Sequence, residues 1–127
     1  MRRIFFTIVV LLFSWNVFSQ GIQFETGSWK EVLQKAKQEN KLIFVDLYTT
    51  WCGPCIQESP AFAALSEKYK DKDIVFIQLS TDNSRKTWLS YLKQKESVVP
   101  QFNSVDNEGL RVNWQIKYIP RFILIDK

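Results

Sequence analysis

The stretch from Lys41 to Pro60, Lys-Leu-Ile-Phe-Val-Asp-Leu-Tyr-Thr-Thr-Trp-Cys-Gly-Pro-Cys-Ile-Gln-Glu-Ser-Pro, constrains this chain more than any other. Leu42–Leu47 is nearly continuous apolar sequence broken only by Asp46, the pattern of a strand covered on both faces. A short loop follows, and a helix opens at Cys52-Gly53-Pro54-Cys55. Pro54 suits the first turn of a helix, having no N–H to leave unsatisfied. Cys52 and Cys55 are the only cysteines, and their i, i+3 spacing at a helix start brings both thiols to one face within disulfide reach. The first thiol sits where unpaired backbone N–H groups and the helix dipole favour a thiolate. The pattern predicts a redox-active dithiol.

At 127 residues the chain has room for one domain. Arg2 and Arg3 precede the apolar run Ile4–Phe13, and Val17-Phe18-Ser19 offers a cleavage site, so residues 1–19 read as a signal peptide and 20–127 as the domain. The run is too short and interrupted for a membrane span, and a retained N-terminal membrane anchor is the alternative. The expectation is an exported, periplasmic or otherwise extracytoplasmic protein. Removing Arg2 and Arg3 lowers the formal charge from +4 to +2, and no basic run remains that would argue for nucleic acid. The absence of histidine excludes His-based catalysis and most metal centres.

Ser28 and Glu31 have capping-box spacing, and Trp29, Val32, Leu33 and Ala36 follow the i, i+3, i+4, i+7 pattern of a helix over Trp29–Gln38, ended by Asn40 and Lys41. The Cys helix carries Ile56, Phe62, Leu65 and Tyr69 on its apolar side, with Pro60 inside it as a kink. Ile74–Leu79 is the next strand, apolar save Gln78. Lys86–Lys93 reads as a helix with Trp88, Leu89 and Leu92 inward, after turn and cap residues in Thr81–Ser84. Lys95–Asn107 reads as a loop around a short extended piece near Val98–Phe102. A short helix over Glu108–Gln115, bearing Leu110, Val112 and Trp114, and a strand over Phe122–Ile125 complete an α/β domain with a partly parallel sheet. The dithiol would lie at the carboxyl end of the central strand.

Trp51-Cys52-Gly53-Pro54-Cys55, Asp46 six residues before Cys52, Pro60 five after Cys55 and Ile119-Pro120 ahead of the last strand together resemble the thioredoxin superfamily, from about Trp29 to Lys127. The likeness is to its exported TlpA/ResA-like branch of thiol–disulfide oxidoreductases. The resemblance implies a three-layer sandwich with a central mixed sheet, Cys52 as attacking thiol and Cys55 as resolving thiol. It implies Asp46 as a buried acid assisting proton transfer at Cys55, Glu58 as an acid near the site, and a cis Pro120 against the disulfide. Trp51, Gly53, Pro54, Ile119 and Pro120 would meet the substrate. The departures are Ile56 where a basic residue commonly follows the second cysteine, Tyr48 where thioredoxin has Trp, and the lack of the family's last strand and closing helix after Ile125. The last point leads to an expectation of low stability and an exposed sheet edge.

The expected activity is reduction of protein disulfides through Cys52 and Cys55, with no cofactor beyond that disulfide and no metal. The partners would be protein disulfides, such as apocytochrome cysteines in cytochrome c maturation, and an upstream thiol–disulfide electron donor, a membrane-bound one included. An oxidant or isomerase role and a non-catalytic binding module with a vestigial dithiol are the alternatives. A purely structural disulfide would stabilise by only about 2 kcal/mol in so small a loop, against about 3 for a fifteen-residue loop. A metal site would need further soft ligands. The alternatives are Asp46 as a solvated strand-end carboxylate, Glu58 as a surface glutamate and Trp51 as cover for the disulfide.

Overall fold

The computed structural model describes residues 29–104 and 106–126, with Trp29 as backbone only. Residues 1–19, read above as a signal peptide, and Ser28 of the expected capping box lie outside the described residues. Eight elements follow one another: α1 (Trp29–Gln38), β1 (Leu42–Tyr48), α2 (Gly53–Lys68), β2 (Ile74–Ser80), α3 (Arg85–Gln94), β3 (Gln101–Asn103), α4 (Asn107–Asn113) and β4 (Arg121–Ile125). They build one four-stranded sheet of order β3-β2-β1-β4. β1 pairs parallel with β2 and β2 parallel with β3, while β4 runs antiparallel on β1.

Strand alternation divides the core into two faces. Ile43, Val45 and Leu47 of β1 join Ile77 and Leu79 of β2 against Val32 and Ala36 of α1, with Leu33, Leu110 and Trp114 packed around them. The opposite face carries Phe44 and Phe76, which both meet Phe62 of α2, while Phe122 of β4 meets Phe44 and Phe62, all at ring-centroid separations of 5.5 to 6.0 Å. Helices on both sides of a mixed sheet give the three-layer arrangement expected.

Helix ends follow the chain chemistry. Asn40 and Gln115 adopt positive φ (56° and 51°), and the amides after them, Lys41 and Ile116, donate to Ala36 and Arg111 carbonyls. Both are Schellman closures, which satisfy carbonyls that the helix leaves open. Ser84 caps α3 by accepting the Thr87 N–H, and Asp106 caps α4 by accepting the Gly109 N–H.

Several inward assignments need correction. Leu89 is 41% exposed, because α3 meets the core through the buried Trp88, with Tyr91 and Leu92 packed beside it. Val112 is likewise turned to solvent, and Leu65 and Tyr69 lie beyond the Phe62 contact. The extended piece expected near Val98–Phe102 begins as a strand only at Gln101. β4 pairs on one side among the described residues, and its Phe122 and Leu124 are largely exposed.

Candidate active site

β1 delivers the chain to the carboxyl end of the sheet, where a loop turns it into α2. Asp82, just past the end of β2, holds that loop. Its Oδ2 accepts the Thr50 N–H and its Oδ1 the Thr50 hydroxyl, each at 2.9 Å. Cys52 is then the N-cap of α2, with extended backbone, and Pro54 occupies the first turn.

Cys52 and Cys55 form a disulfide, their Cα atoms 5.3 Å apart. The Cys55 N–H donates to Cys52 Sγ at 3.3 Å. The sulfur therefore takes the place of a capping oxygen at a helix N-terminus, where negative charge is stabilised. Both cysteines are buried in a small cluster with Tyr48 and Trp88, on which Ile119 packs. The Ile119–Pro120 peptide is cis, and both residues are half-buried. Trp51 is 76% exposed. Gly53 and Pro54 are exposed beside it, and the space a Gly53 side chain would fill is open.

Asp46 is only 1% exposed, which excludes a solvated strand-end carboxylate. Strand alternation puts it on the same face as Tyr48, the face that α2 covers. Its Oδ2 accepts from Gln78 Nε2 at 2.8 Å, and its Oδ1 has no hydrogen-bond partner among the described residues. Burial raises its pKa from 3.8 to about 6, the Gln78 hydrogen bond works against that rise, and the Glu58 charge adds to it. Glu58 itself is exposed on α2 and bears on the site through this electrostatic effect.

Four residues of the site went unassigned by sequence reasoning: Gln78, Gln101, Ser59 and Asp82. One signal was available. Asp46 and Gln78 are the lone polar residues within the apolar runs Leu42–Leu47 and Ile74–Leu79, and they are register partners. Gln101 stands opposite Gln78 in turn, so one polar rung crosses three strands. A groove of about 310 Å³ opens onto it, lined by Tyr48, Ser59, Gln78, Tyr91, Lys95 and Gln101 among others. Among the described residues no three His, Cys, Asp or Glu side chains gather as a metal site would require.

Comparison with known proteins places this geometry. A family model described as thioredoxin-like matches residues 39–127. A crystal structure of a protein assigned as a thiol-disulfide oxidoreductase from Bacteroides vulgatus is 54% identical, with a TM-score of 0.66 over 72% of this chain and 64% of that one. A solution structure of a protein with the same assignment and source is 39% identical, with a TM-score of 0.60 over 72% of this chain and 60% of that one. The H-type thioredoxin of Chlamydomonas reinhardtii is 42% identical over 56 residues, which are 44% of this chain and 49% of that protein. The chain thus spans about half the length of that curated relative.

Proposed function

The chain belongs to the thioredoxin-like family, and from that premise we propose that it is an exported thiol–disulfide oxidoreductase that reduces disulfides of other proteins. The observation that carries this reading is the Cys55 N–H on Cys52 Sγ at the start of α2, which favours a thiolate on the outer cysteine.

In the reduced protein the Cys52 thiolate attacks one sulfur of a partner's disulfide. The partner's S–S bond breaks, one partner sulfur leaves as thiolate, and a mixed disulfide forms. Cys55 then gives its proton to Asp46 and attacks Cys52 Sγ. The mixed bond breaks, the second partner sulfur leaves as thiolate, and the Cys52–Cys55 disulfide remains. Two electrons have passed to the partner, whose thiolates take up protons. Asp46 suits the acceptor role: at neutral pH its carboxyl is mostly ionised, and Oδ1 has no competing hydrogen bond among the described residues. Trp51, Gly53 and Pro54 offer the exposed surface for the partner, with Ile119 and Pro120 beside the disulfide. The dithiol needs no other cofactor, and an upstream thiol–disulfide donor restores its reduced form.

Export rests on Arg2, Arg3, the apolar run after them and the Val17-Phe18-Ser19 site. N-terminal sequencing of the extracytoplasmic protein tests it: a start at Gln20 supports cleavage, and a start at Met1 favours an anchor.

The midpoint potential of the dithiol against glutathione, followed by Trp51 fluorescence, tests the direction. A value of about −270 mV or lower supports a reductase, whereas one near about −120 mV makes the protein an oxidant. Cys55→Ser should trap a mixed disulfide with a substrate protein and Cys52→Ser should abolish exchange. A fully active Cys52→Ser variant would reject the mechanism.

A further inference from the structure

Hydrogen bonds run unbroken from α3 to the Asp46 carboxylate. Trp88 Nε1–H donates to the Tyr48 hydroxyl at 2.9 Å, and that hydroxyl donates to Gln101 Oε1 at 2.7 Å. Gln101 Nε2 donates to Gln78 Oε1, and Gln78 Nε2 donates to Asp46 Oδ2 at 2.8 Å and to Ser59 Oγ at 2.9 Å.

The direction of this chain is forced. An indole N–H can only donate, so the Tyr48 oxygen accepts there and its single proton must point onward. Burial pushes the Tyr48 phenol up, so the hydroxyl keeps that proton. The atom of Gln101 that receives it is therefore the oxygen, and the amide nitrogen faces Gln78. The Val99 carbonyl, which can only accept, lies 3.2 Å from the same nitrogen and fixes the same orientation independently. Ser97 Oγ accepts from it as well. Gln78 consequently turns its oxygen to Gln101 and its N–H group to Asp46.

We propose that Trp88, Tyr48, Gln101 and Gln78 form a one-way hydrogen-bond relay that presents a permanent donor to Asp46, with Gln78 as a positioning residue for the proton transfer. The proposal rests on the proton-acceptor role given to Asp46 above for its functional meaning, though not for its geometry. A donor held against Oδ2 favours the ionised carboxylate and leaves Oδ1 as the oxygen that takes the proton. Successive hydrogen bonds polarise one another, so protonation of Asp46 should register at the far end of the chain.

Other groups bear on the same carboxyl and must be separated from it. Glu58 contributes from α2, and Tyr48 is coupled to Asp46 along β1. Tyr91, Lys95 and Glu96 line the groove from α3 and the loop after it. On β4 the residue opposite Asp46 is the uncharged Phe122, with Arg121 next to it.

The test is a pH titration of the oxidised protein by NMR, with the disulfide closed so that neither thiol titrates. The Asp46 carboxyl, the Gln78 and Gln101 side-chain amides and the Trp88 indole N–H should shift with one midpoint. That common midpoint should vanish in Asp46→Asn and persist in Glu58→Gln. Gln78→Leu should raise the Asp46 midpoint by about one pH unit, since a hydrogen bond to the charged form is lost. Gln101→Leu should silence the response of Trp88 and leave that of Gln78. A Trp88 indole that ignores the Asp46 midpoint in the wild-type protein overturns the relay without any variant having to fold. So does a Trp88 response that survives Gln101→Leu. Exchange kinetics of Asp46→Asn judge the proton-acceptor reading separately: an unchanged rate rejects that reading, while the resonances alone decide the relay.

Discussion

Asp82 holds Thr50 at two points, through the backbone N–H and through the side-chain hydroxyl, each at 2.9 Å. Its Oδ2 also accepts the Ser80 hydroxyl at 2.7 Å. Three donors thus converge on one buried carboxylate just ahead of the redox motif. Asp82→Ala leaves the Thr50 N–H and the fully buried Ser80 hydroxyl without that partner. We expect it to cost about 2–3 kcal/mol in urea unfolding. Asp82→Asn keeps one acceptor oxygen and should lose less. Equal losses would mean that packing, not hydrogen bonding, holds the loop.

Phe62 lies within 6 Å of three other rings, those of Phe44, Phe76 and Phe122, and is 4% exposed. Phe122 meets two rings, those of Phe62 and Phe44, but is 41% exposed at the sheet edge. Phe62→Ala should therefore cost about 3–5 kcal/mol through the cavity it leaves. Phe122→Ala should cost about 1 kcal/mol, since less apolar area leaves water on folding. Denaturant midpoints for the two variants check the contrast, and similar losses would place Phe122 in the core.

The apolar runs around Asp46 and Gln78 were enough to read β1 and β2, because strands covered on both faces have little freedom to be polar. The dithiol was equally plain, since Cys52, Pro54 and the helix start serve local chemistry that needs no tertiary partner. Leu89 misled for the opposite reason. Helical spacing puts it near the Trp88 stripe, but the larger ring fills the interface and leaves Leu89 outside. The Gln78–Gln101 bond depends on β2 and β3 register, which no local pattern in the Lys95–Asn107 segment encodes. Asp82 was hidden in the same way, as a turn residue whose partner lies thirty-two positions earlier.

Gln115 occupies the positive-φ position that closes α4, as Asn40 does for α1. Asn adopts this conformation readily, whereas Gln there costs about 1–2 kcal/mol. Glycine removes that cost but gives back part of it as lost chain entropy. Gln115→Gly should therefore stabilise the protein by up to about 1 kcal/mol, and Asn40→Gly should be close to neutral. Thermal unfolding of both variants decides this. A lowered midpoint for Gln115→Gly would show that the Gln115 side chain contributes more than its backbone costs.

Asp46 makes folding depend on pH in a direction that can be worked out. Its pKa rises from 3.8 to about 6 on folding, chiefly by burial. The folded protein therefore holds this proton more tightly than the unfolded chain does. Stability from this group is fully present below about pH 4 and is lost as pH rises through about 6, by on the order of 3 kcal/mol. Asp46→Asn cannot ionise, and the other carboxylates are common to both proteins. The difference between wild-type and variant unfolding free energies, measured on the oxidised forms, should thus move in favour of the variant between pH 4 and pH 7.5. Parallel curves across that range would mean that Asp46 ionises at no cost to the fold. The same desolvation that weakens folding at neutral pH keeps the proton affinity of Asp46 close to that pH, which is the property the proton-acceptor role proposed for it needs.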